Sequence, residues 1–177
     1  GDAFVEHLRG MFAIALWDSR RERLLLVRDR VGEKPLYYFT DGKQLLFASE
    51  LKALMQSRDV PRDIHLEAVH YYTVFSRVPS PHCIVRGVRK LPPAHLIIIE
   101  HGTVREVRYW AVSFKNKLQL SEHDLRVQLL SRLESSVQSM MVSDVPLGAF
   151  LSGGVDSSAV LAMMAKIASG VKTKVIL

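Results

Sequence analysis

The amino-acid sequence predicts an α+β domain followed by the beginning of an α/β domain. Short apolar runs separated by turn residues fill the first 110 residues, and linker-like composition covers residues 111–120. A strand, a glycine-rich loop, a helix and a second strand are predicted within residues 121–177. One parallel crossover cannot bury both faces of a sheet. We therefore expect the chain to hold the end of one domain and the beginning of another.

Three antiparallel hairpins are predicted in the first domain. They pair residues 11–17 with 24–27, 36–39 with 45–48, and 91–99 with 104–110. The runs are short and apolar, as in buried strands, and Asp41-Gly42 readily supplies the positive φ angles of a tight turn.

Three helices are also predicted there. They cover residues 4–8, 50–57 and about 66–75. Gly10 suits the left-handed end of the first helix, Ser49 is the predicted N-cap of the second, and Pro79 and Pro81 stop the third.

The second domain is predicted to begin with a helix that starts at a capping-box-like sequence, residues 121–124. Its apolar residues recur at intervals of about four and are Leu125, Leu129, Leu133, Val137 and Met140 or Met141. A buried strand over 145–151, a helix over 159–168 ended by Gly170, and a strand over 174–177 follow.

The charge of the chain is concentrated in one segment. There are 24 Lys and Arg against 18 Asp and Glu, and the whole excess of +6 lies in residues 77–117. Three interpretations stay open for this segment: a solvated surface, contact with acidic parts of another segment or subunit, and nucleic-acid binding. Interleaved exposed aromatic residues are not evident there, so we expect no nucleic-acid partner.

The composition excludes several classes of protein. An apolar fraction of 48% excludes a disordered polyelectrolyte, and no stretch has the roughly 20 apolar residues that span a membrane. The single cysteine, Cys83, excludes an internal disulfide and is expected to be a small packed side chain. The start shows no signal peptide, so we expect a cytoplasmic protein without a membrane partner.

The segment 152–158 is the predicted functional site. It lies between an apolar strand and a helix N-terminus, where unpaired N–H groups and the helix dipole favour an anion. Gly153 and Gly154 let phosphate oxygens approach the backbone, and Asp156 implies a bridging Mg²⁺. The hydroxyl donors are Ser152, Ser157 and Ser158. The alternative is a tight turn whose side chains only cap the helix; a Walker A sequence is absent.

Ser152-Gly153-Gly154-Val155-Asp156-Ser157 resembles the pyrophosphate-binding loop (PP-loop) of the ATP pyrophosphatase superfamily. Residues 143–151 narrow the resemblance to the glutamine-dependent asparagine synthetases. Four further segments resemble the second half of that family's class II glutaminase domain. They are residues 8–13, 28–38, 47–54 and 90–93.

This resemblance implies the C-terminal part of an Ntn-type (αββα) glutaminase domain over residues 1–110, a linker over 111–120, and the start of a synthetase domain over 121–177. The implied enzyme releases ammonia from glutamine and conducts it to a site where aspartate is adenylated with ATP and Mg²⁺. Asparagine, glutamate, AMP and pyrophosphate are the expected products, and a homodimer is an expected assembly. The implied ATP-binding residues are Leu151, Ser152, Gly153, Gly154, Asp156, Ser157 and Ser158, with Asp156 at the metal.

Some features depart from the family pattern. The N-terminal cysteine nucleophile is not in this chain, so no catalytic residue is assigned and the chain alone is expected to be inactive. Ala94 stands where the family commonly has glycine, and a positive φ there would destabilise the fold by about 1 kcal/mol.

Several alternatives stay open. The segment 28–35 is either a loop pinned by an Arg–Asp pair or a segment that lines the ammonia route or docks the second domain. The acceptor could be another carboxylate, and the whole protein could be a non-catalytic paralogue that retains the fold.

Overall fold

The computed structural model describes residues 2–167 and 174–176. The chain divides into two compact units, Gly1–Ser113 and Phe114–Leu177. The division falls within the linker-like segment 111–120. Each unit is described by itself.

Seven strands and three helices are described in the first unit. The strands are β1 (Ala13–Asp18), β2 (Arg23–Arg28), β3 (Tyr37–Thr40), β4 (Leu45–Ala48), β5 (Arg89–Lys90), β6 (His95–Glu100) and β7 (Thr103–Arg108). The helices are a 3₁₀ helix (Asp2–His7), α1 (Leu51–Leu54) and α2 (Leu66–Phe75).

The strands of the first unit form two antiparallel sheets, with orders β1-β2-β6-β7 and β4-β3-β5. The three predicted hairpins are confirmed as the pairs β1–β2, β3–β4 and β6–β7. The pairs β2–β6 and β3–β5 join strands distant in the chain, and they assemble the hairpins into two sheets. This α+β arrangement with antiparallel sheets agrees with the predicted class.

The core lies on both faces of β2, which explains why its four central residues, 24–27, are all apolar. Leu25 and Val27 pack with Val5 of the 3₁₀ helix on one face. Leu26 packs on the other face with Leu36 and Tyr38 of the second sheet region. The strand therefore lies in a sheet covered on both sides.

Two of the helix predictions for the first unit need correction. The helix predicted over residues 4–8 is a 3₁₀ helix over Asp2–His7, so Leu8 lies outside it. The predicted N-cap Ser49 is wrong, because α1 begins at Leu51 and Glu50 holds the cap position without a side-chain hydrogen bond. Helix α1 is also shorter than 50–57: the N–H groups of Gln56 and Ser57 bond to carbonyls three residues back, in tighter turns.

Helix α2 is confirmed over Leu66–Phe75. It ends at Ser76, whose φ of +55° is left-handed, before the chain reaches the prolines.

The second unit contains α3 (Glu122–Met140), β8 (Gly148–Phe150), α4 (Val155–Ile167) and β9 (Lys174–Ile176). Ser121 caps α3 as predicted, since its Oγ accepts a 3.1 Å hydrogen bond from the N–H of Asp124. Strands β8 and β9 pair in parallel, the expected start of an α/β sheet.

The prediction of a buried strand over 145–151 is wrong in length and burial. Only Gly148–Phe150 is strand, and Phe150 is 83% exposed. The half-buried Ala149 lines a cavity with residues of α3 and α4. Because successive side chains of a strand point to opposite faces, Phe150 lies on the other face of the sheet. Helices cover one face of this sheet in the part that the structure describes.

Helix α4 begins at Val155, four residues earlier than predicted. Residues 155–158 of the glycine loop therefore form its first turn. The predicted helix end at residue 168 and Gly170, and the strand residue Leu177, lie outside the described residues. Among the described helices, none has the length and apolar character needed to cross a membrane.

Candidate functional site

The glycine loop joins the end of β8 to the beginning of α4. Gly153 has a φ of +77°, and a Cβ on it would meet no atom within 4 Å. Glycine is therefore favoured here by the left-handed backbone conformation and not by lack of space. A Cβ on Gly154 would lie 3.5 Å from the Oγ of Ser152 and 4.0 Å from the Oγ of Ser157. Gly154 therefore lies beneath the hydroxyl groups of the loop.

Two serine hydroxyls donate to the carbonyl oxygen of Gly154, and a third contacts one of the two. Ser157 Oγ donates to it at 3.0 Å and Ser158 Oγ at 2.8 Å, while the N–H of Ser158 donates at 3.1 Å. Ser152 Oγ lies 3.1 Å from Ser157 Oγ. Because each hydroxyl has one proton, Ser152 retains a donor that can turn to a ligand without breaking a backbone hydrogen bond.

The first turn of α4 offers backbone donors to the same space. The N–H groups at the start of an α-helix have no acceptor within the helix, and they lie at the positive end of its dipole. Residues 152–156 are exposed and Leu151 is half-buried at the entrance to the loop. The predicted loop residues are thus brought together at a solvent-accessible helix N-terminus.

Asp156 lies in that first turn and is exposed. In the described part of the chain, no group of three or more His, Cys, Asp or Glu side chains is placed to hold a metal ion. Mg²⁺ is commonly held by one or two carboxylates together with substrate phosphates. The single carboxylate at this loop fits Mg²⁺ only if phosphate oxygens of a bound substrate complete the coordination.

The loop at residues 28–35 of the first unit is rigidly held by the carboxylate of Asp29. That side chain is fully buried. Its oxygens accept hydrogen bonds from the backbone N–H groups of Gly32 (2.7 Å), Glu33 (2.9 Å), Lys34 (2.9 Å) and Val31 (3.2 Å). Burial alone would raise the pKa of the Asp29 carboxyl, but the hydrogen bonds outweigh burial and hold its pKa below the usual value.

Arg28 holds the same loop through a separate set of contacts. Its guanidinium donates to the carbonyl oxygens of Lys34 (2.8 Å), Gly32 (2.7 Å) and Leu91 (2.7 Å) and to Ser80 Oγ (3.2 Å). The predicted Arg–Asp pair is therefore wrong in detail. The two side chains satisfy backbone groups of opposite polarity instead of each other, and together they pin the loop.

Other residues singled out by the sequence have defined places. Cys83 is 1% exposed, which confirms it as a packed side chain. Ala94 has a φ of +58°, so the positive φ anticipated there is present. In the basic segment Arg77, Arg86, Arg89, Arg105, Arg108, Lys115 and Lys117 are exposed. Lys90 is the half-buried exception.

Sequence reasoning missed two long-range hydrogen bonds of the first unit, one of which holds the 28–35 loop. The hydroxyl of Tyr109 donates to the carbonyl oxygen of Arg28 at 2.7 Å. Tyr38 donates to Glu106 at 3.2 Å, and burial, reinforced by that carboxylate, raises its pKa to about 12. No local pattern marks either pair, because their members lie far apart in the chain.

Comparison with known proteins is consistent with both units. Residues 1–110 match the family model described as glutamine amidotransferase domain, and residues 128–176 match the one described as asparagine synthase. The chain is 36% identical over 165 residues to asparagine synthetase (glutamine-hydrolyzing) 3 of Bacillus subtilis, covering 91% of this chain and 26% of that protein. It is 37% identical over 167 residues to asparagine synthetase (glutamine-hydrolyzing) 1 of the same organism, covering 94% and 26%.

A third relative carries a different name. Amidase chyE of Penicillium rubens is 33% identical over 172 residues, covering 94% of this chain and 25% of that protein. The chain thus spans about a quarter of the length of these curated relatives. Among solved structures, glutamine phosphoribosylpyrophosphate amidotransferase of B. subtilis aligns with a TM-score of 0.36 and 13% identity, covering 97% of this chain and 33% of that one.

The antiparallel first unit and its match over residues 1–110 define the class: the chain belongs to the glutamine amidotransferase domain family. The match over residues 128–176 and the two Bacillus relatives confirm the narrower resemblance to glutamine-hydrolysing asparagine synthetases.

Proposed function

We propose that the whole protein makes asparagine from aspartate, with glutamine as nitrogen donor and ATP as the source of energy, releasing AMP and pyrophosphate. The observation on which this rests is the loop at residues 151–158. It combines a left-handed glycine, a helix N-terminus, convergent hydroxyls and one carboxylate. The synthetase family resemblance supplies the acceptor, aspartate, and its adenylated intermediate.

In this proposal the loop holds the phosphate groups of ATP that leave as pyrophosphate. Backbone N–H groups of the first turn of α4 and the hydroxyl of Ser152 donate to phosphate oxygens, and the backbone of Leu151 contacts the nucleotide. Ser157 and Ser158 support the Gly154 carbonyl beneath them. Asp156 would hold Mg²⁺, whose positive charge would offset the negative charge of the phosphate groups.

The first unit takes a supporting part in the proposal. The pinned loop at residues 28–35 borders a cavity of about 380 Å³, and Met11, Phe12, Ala13, Lys34, Pro35 and Ser49 line it. A rigid wall of this kind suits a route for ammonia between two sites. Glutamine hydrolysis itself is assigned to no residue of this chain, because the family's nucleophile is an N-terminal cysteine and Cys83 is internal, without a free α-amine.

A second candidate is an amidotransferase that acts on another carboxylate. The relative named amidase chyE favours it, because its identity and coverage approach those of the Bacillus relatives. We place either enzyme in the cytoplasm, where the free thiol of Cys83 is stable. A homodimer is part of the proposal for both.

Product analysis of the whole protein tests the proposal. With Mg-ATP, aspartate and ammonia, we expect AMP and pyrophosphate in equal amounts with asparagine. ADP and phosphate would contradict the loop assignment. AMP release that requires a carboxylate other than aspartate would select the second candidate, and no nucleotide turnover with any carboxylate would select a non-catalytic paralogue.

A matched pair of variants tests the metal role. Asp156→Asn should abolish synthesis and leave glutaminase activity measurable. Glu122→Gln makes the same kind of change in the first turn of α3, where Glu122 is also exposed, and should leave synthesis intact. Synthesis at the wild-type rate in Asp156→Asn would contradict the role given to this carboxylate.

A further inference from the structure

Two adjoining cavities in the first unit share a wall formed by Tyr37, Arg77, Val78 and Lys90. The larger has a volume of about 410 Å³ and is otherwise lined by Leu51, Tyr72, Cys83 and Ile84. The smaller, of about 230 Å³, adds polar groups that include Arg28 and Ser80. The pair therefore has one mainly apolar end and one polar end.

The polar end is positively charged, and no lining residue carries a negative charge at neutral pH. Arg28, Arg77 and Lys90 line it, and within residues 2–167 and 174–176 none of the three forms an ion pair with a carboxylate. Asp29 adjoins Arg28 in the chain, but its carboxylate accepts four backbone N–H groups. The carboxylate of Asp29 offsets part of the charge of Arg28 through space, whereas Arg77 and Lys90 have no ion-pair partner among the described residues.

Lys90 is half-buried and lines the cavity together with Arg28 and Arg77. Its Nζ donates to the carbonyl oxygen of Val78 at 2.6 Å and lies 5.9 Å from the centre of the Tyr37 ring. Burial lowers the pKa of the Lys90 ammonium. Cys83 acts in the opposite direction, and the positive charges of Arg28 and Arg77 add to the lowering. An anion placed between these groups would relieve both effects.

Arg28 provides a fixed donor on the same wall. Its guanidinium is buried, with 8% of the residue exposed, and described acceptors take four of its five N–H groups. A buried, preoriented guanidinium beside an apolar cavity is a common arrangement for recognising a carboxylate.

We propose that this pair of cavities binds a small organic acid, whose carboxylate lies among Arg77, Lys90 and Arg28 and whose apolar body fills the larger cavity. Leu51, Tyr72 and Ile84 would contact that body. The volumes suit a ligand with a single ring or a short aliphatic chain. A nucleic-acid backbone does not suit the mainly apolar end, so the surface arginines of the segment 77–117 need not share this role.

Calorimetric titration of the 177-residue chain with benzoate tests the proposal, with benzamide as the neutral ligand of the same shape. Benzoate should bind saturably and benzamide about tenfold more weakly, since charge-assisted hydrogen bonds are lost. Equal affinities for the two, or no saturable binding of benzoate, would overturn the proposal.

Charge-neutral variants locate the site. Arg77→Met and Lys90→Met should each weaken benzoate binding by about tenfold, the range for one charged hydrogen bond. Arg89→Met is the matched control, because Arg89 adjoins Lys90 on β5 but lies against the Tyr38 ring, outside the cavity lining. An equal loss in Arg89→Met would overturn the assignment.

A measurement on the unmodified chain avoids any effect of substitution on folding. Cys83 lines the larger cavity and is the single cysteine of the sequence. Saturating benzoate should slow the reaction of this thiol with methyl methanethiosulfonate, and benzamide at the same concentration should slow it less. An unchanged rate with bound benzoate would place the ligand elsewhere.

Discussion

Gly32 is the position where the structure makes the sharpest prediction about stability. Its φ is +73°, which disfavours any side chain by about 1–2 kcal/mol. A Cβ there would lie 2.8 Å from Pro93 Cγ and 3.1 Å from Arg28 Cζ. The proline ring is stiff and the guanidinium is held by four hydrogen bonds, so neither neighbour yields easily.

The expected magnitude for Gly32→Ala follows from these contacts. Displacing Arg28 breaks its 2.7 Å hydrogen bond to the Gly32 carbonyl, which is worth about 1.5–3 kcal/mol for a charged donor. Together with the backbone strain, the free energy of unfolding of the first unit should fall by about 3–5 kcal/mol.

Urea denaturation followed by tryptophan fluorescence measures this change. Trp17 and Trp110 are the two tryptophans of the sequence, and both lie in the first unit. Gly42→Ala is the control, because Gly42 has a φ of +86° with no atom within 4 Å of a Cβ and should lose only about 1 kcal/mol. Equal losses in the two variants would refute the argument from close packing.

Three further outcomes are expected. Asp29→Asn should destabilise the first unit by about 3 kcal/mol, because an amide cannot accept all four N–H groups as a carboxylate does; a loss below about 1 kcal/mol in urea would contradict this. Since the folded-state pKa of Asp29 is lowered, its contribution is complete above the unfolded value of about 4 and is lost as pH falls through the folded value. The free energy of unfolding of the wild-type chain should thus decline below about pH 4 more steeply than that of Asp29→Asn. Parallel pH profiles would be evidence against a stabilising role of the ionised Asp29 carboxylate. Ser121→Ala should destabilise the second unit by about 1 kcal/mol through loss of the α3 cap, measured by circular dichroism, and an unchanged transition would contradict the capping role.

Features with a local cause were predictable from the sequence. The hairpins follow from short apolar runs and turn dipeptides, and the start of α3 follows from the serine at its cap. The positive φ of Ala94 was anticipated because glycine commonly stands there in the resembling family. For the hairpins and the start of α3, neighbours in the chain determine the conformation, whereas the expectation for Ala94 came from the family resemblance.

Features with a long-range cause were not predictable. The split into two sheets depends on β2 pairing with β6 and β3 with β5. The separate networks of Arg28 and Asp29 depend on backbone groups that only the folded loop brings together. The exposure of Phe150 depends on which face of the sheet the helices cover, and a pattern of apolar letters does not contain that information.

The residues of the candidate site were predicted from the sequence, but the hydrogen bonds among them and the start of α4 were not. The sequence indicated the glycines, serines and carboxylate of segment 152–158. The structure adds that Ser157 and Ser158 donate to the Gly154 carbonyl, which leaves the hydroxyl of Ser152 available to a ligand. It also shows that the first turn of α4 begins within the loop.

The central claim is that the loop at residues 151–158 holds pyrophosphate with Mg²⁺. The most direct measurement is a titration of the chain with Mg-pyrophosphate, observed through its backbone amide NMR signals. Saturable shifts should concentrate at residues 152–158 and disappear in Gly153→Val, because valine disfavours the φ of +77°. Shifts confined to other residues, or undiminished shifts in Gly153→Val, would contradict the claim.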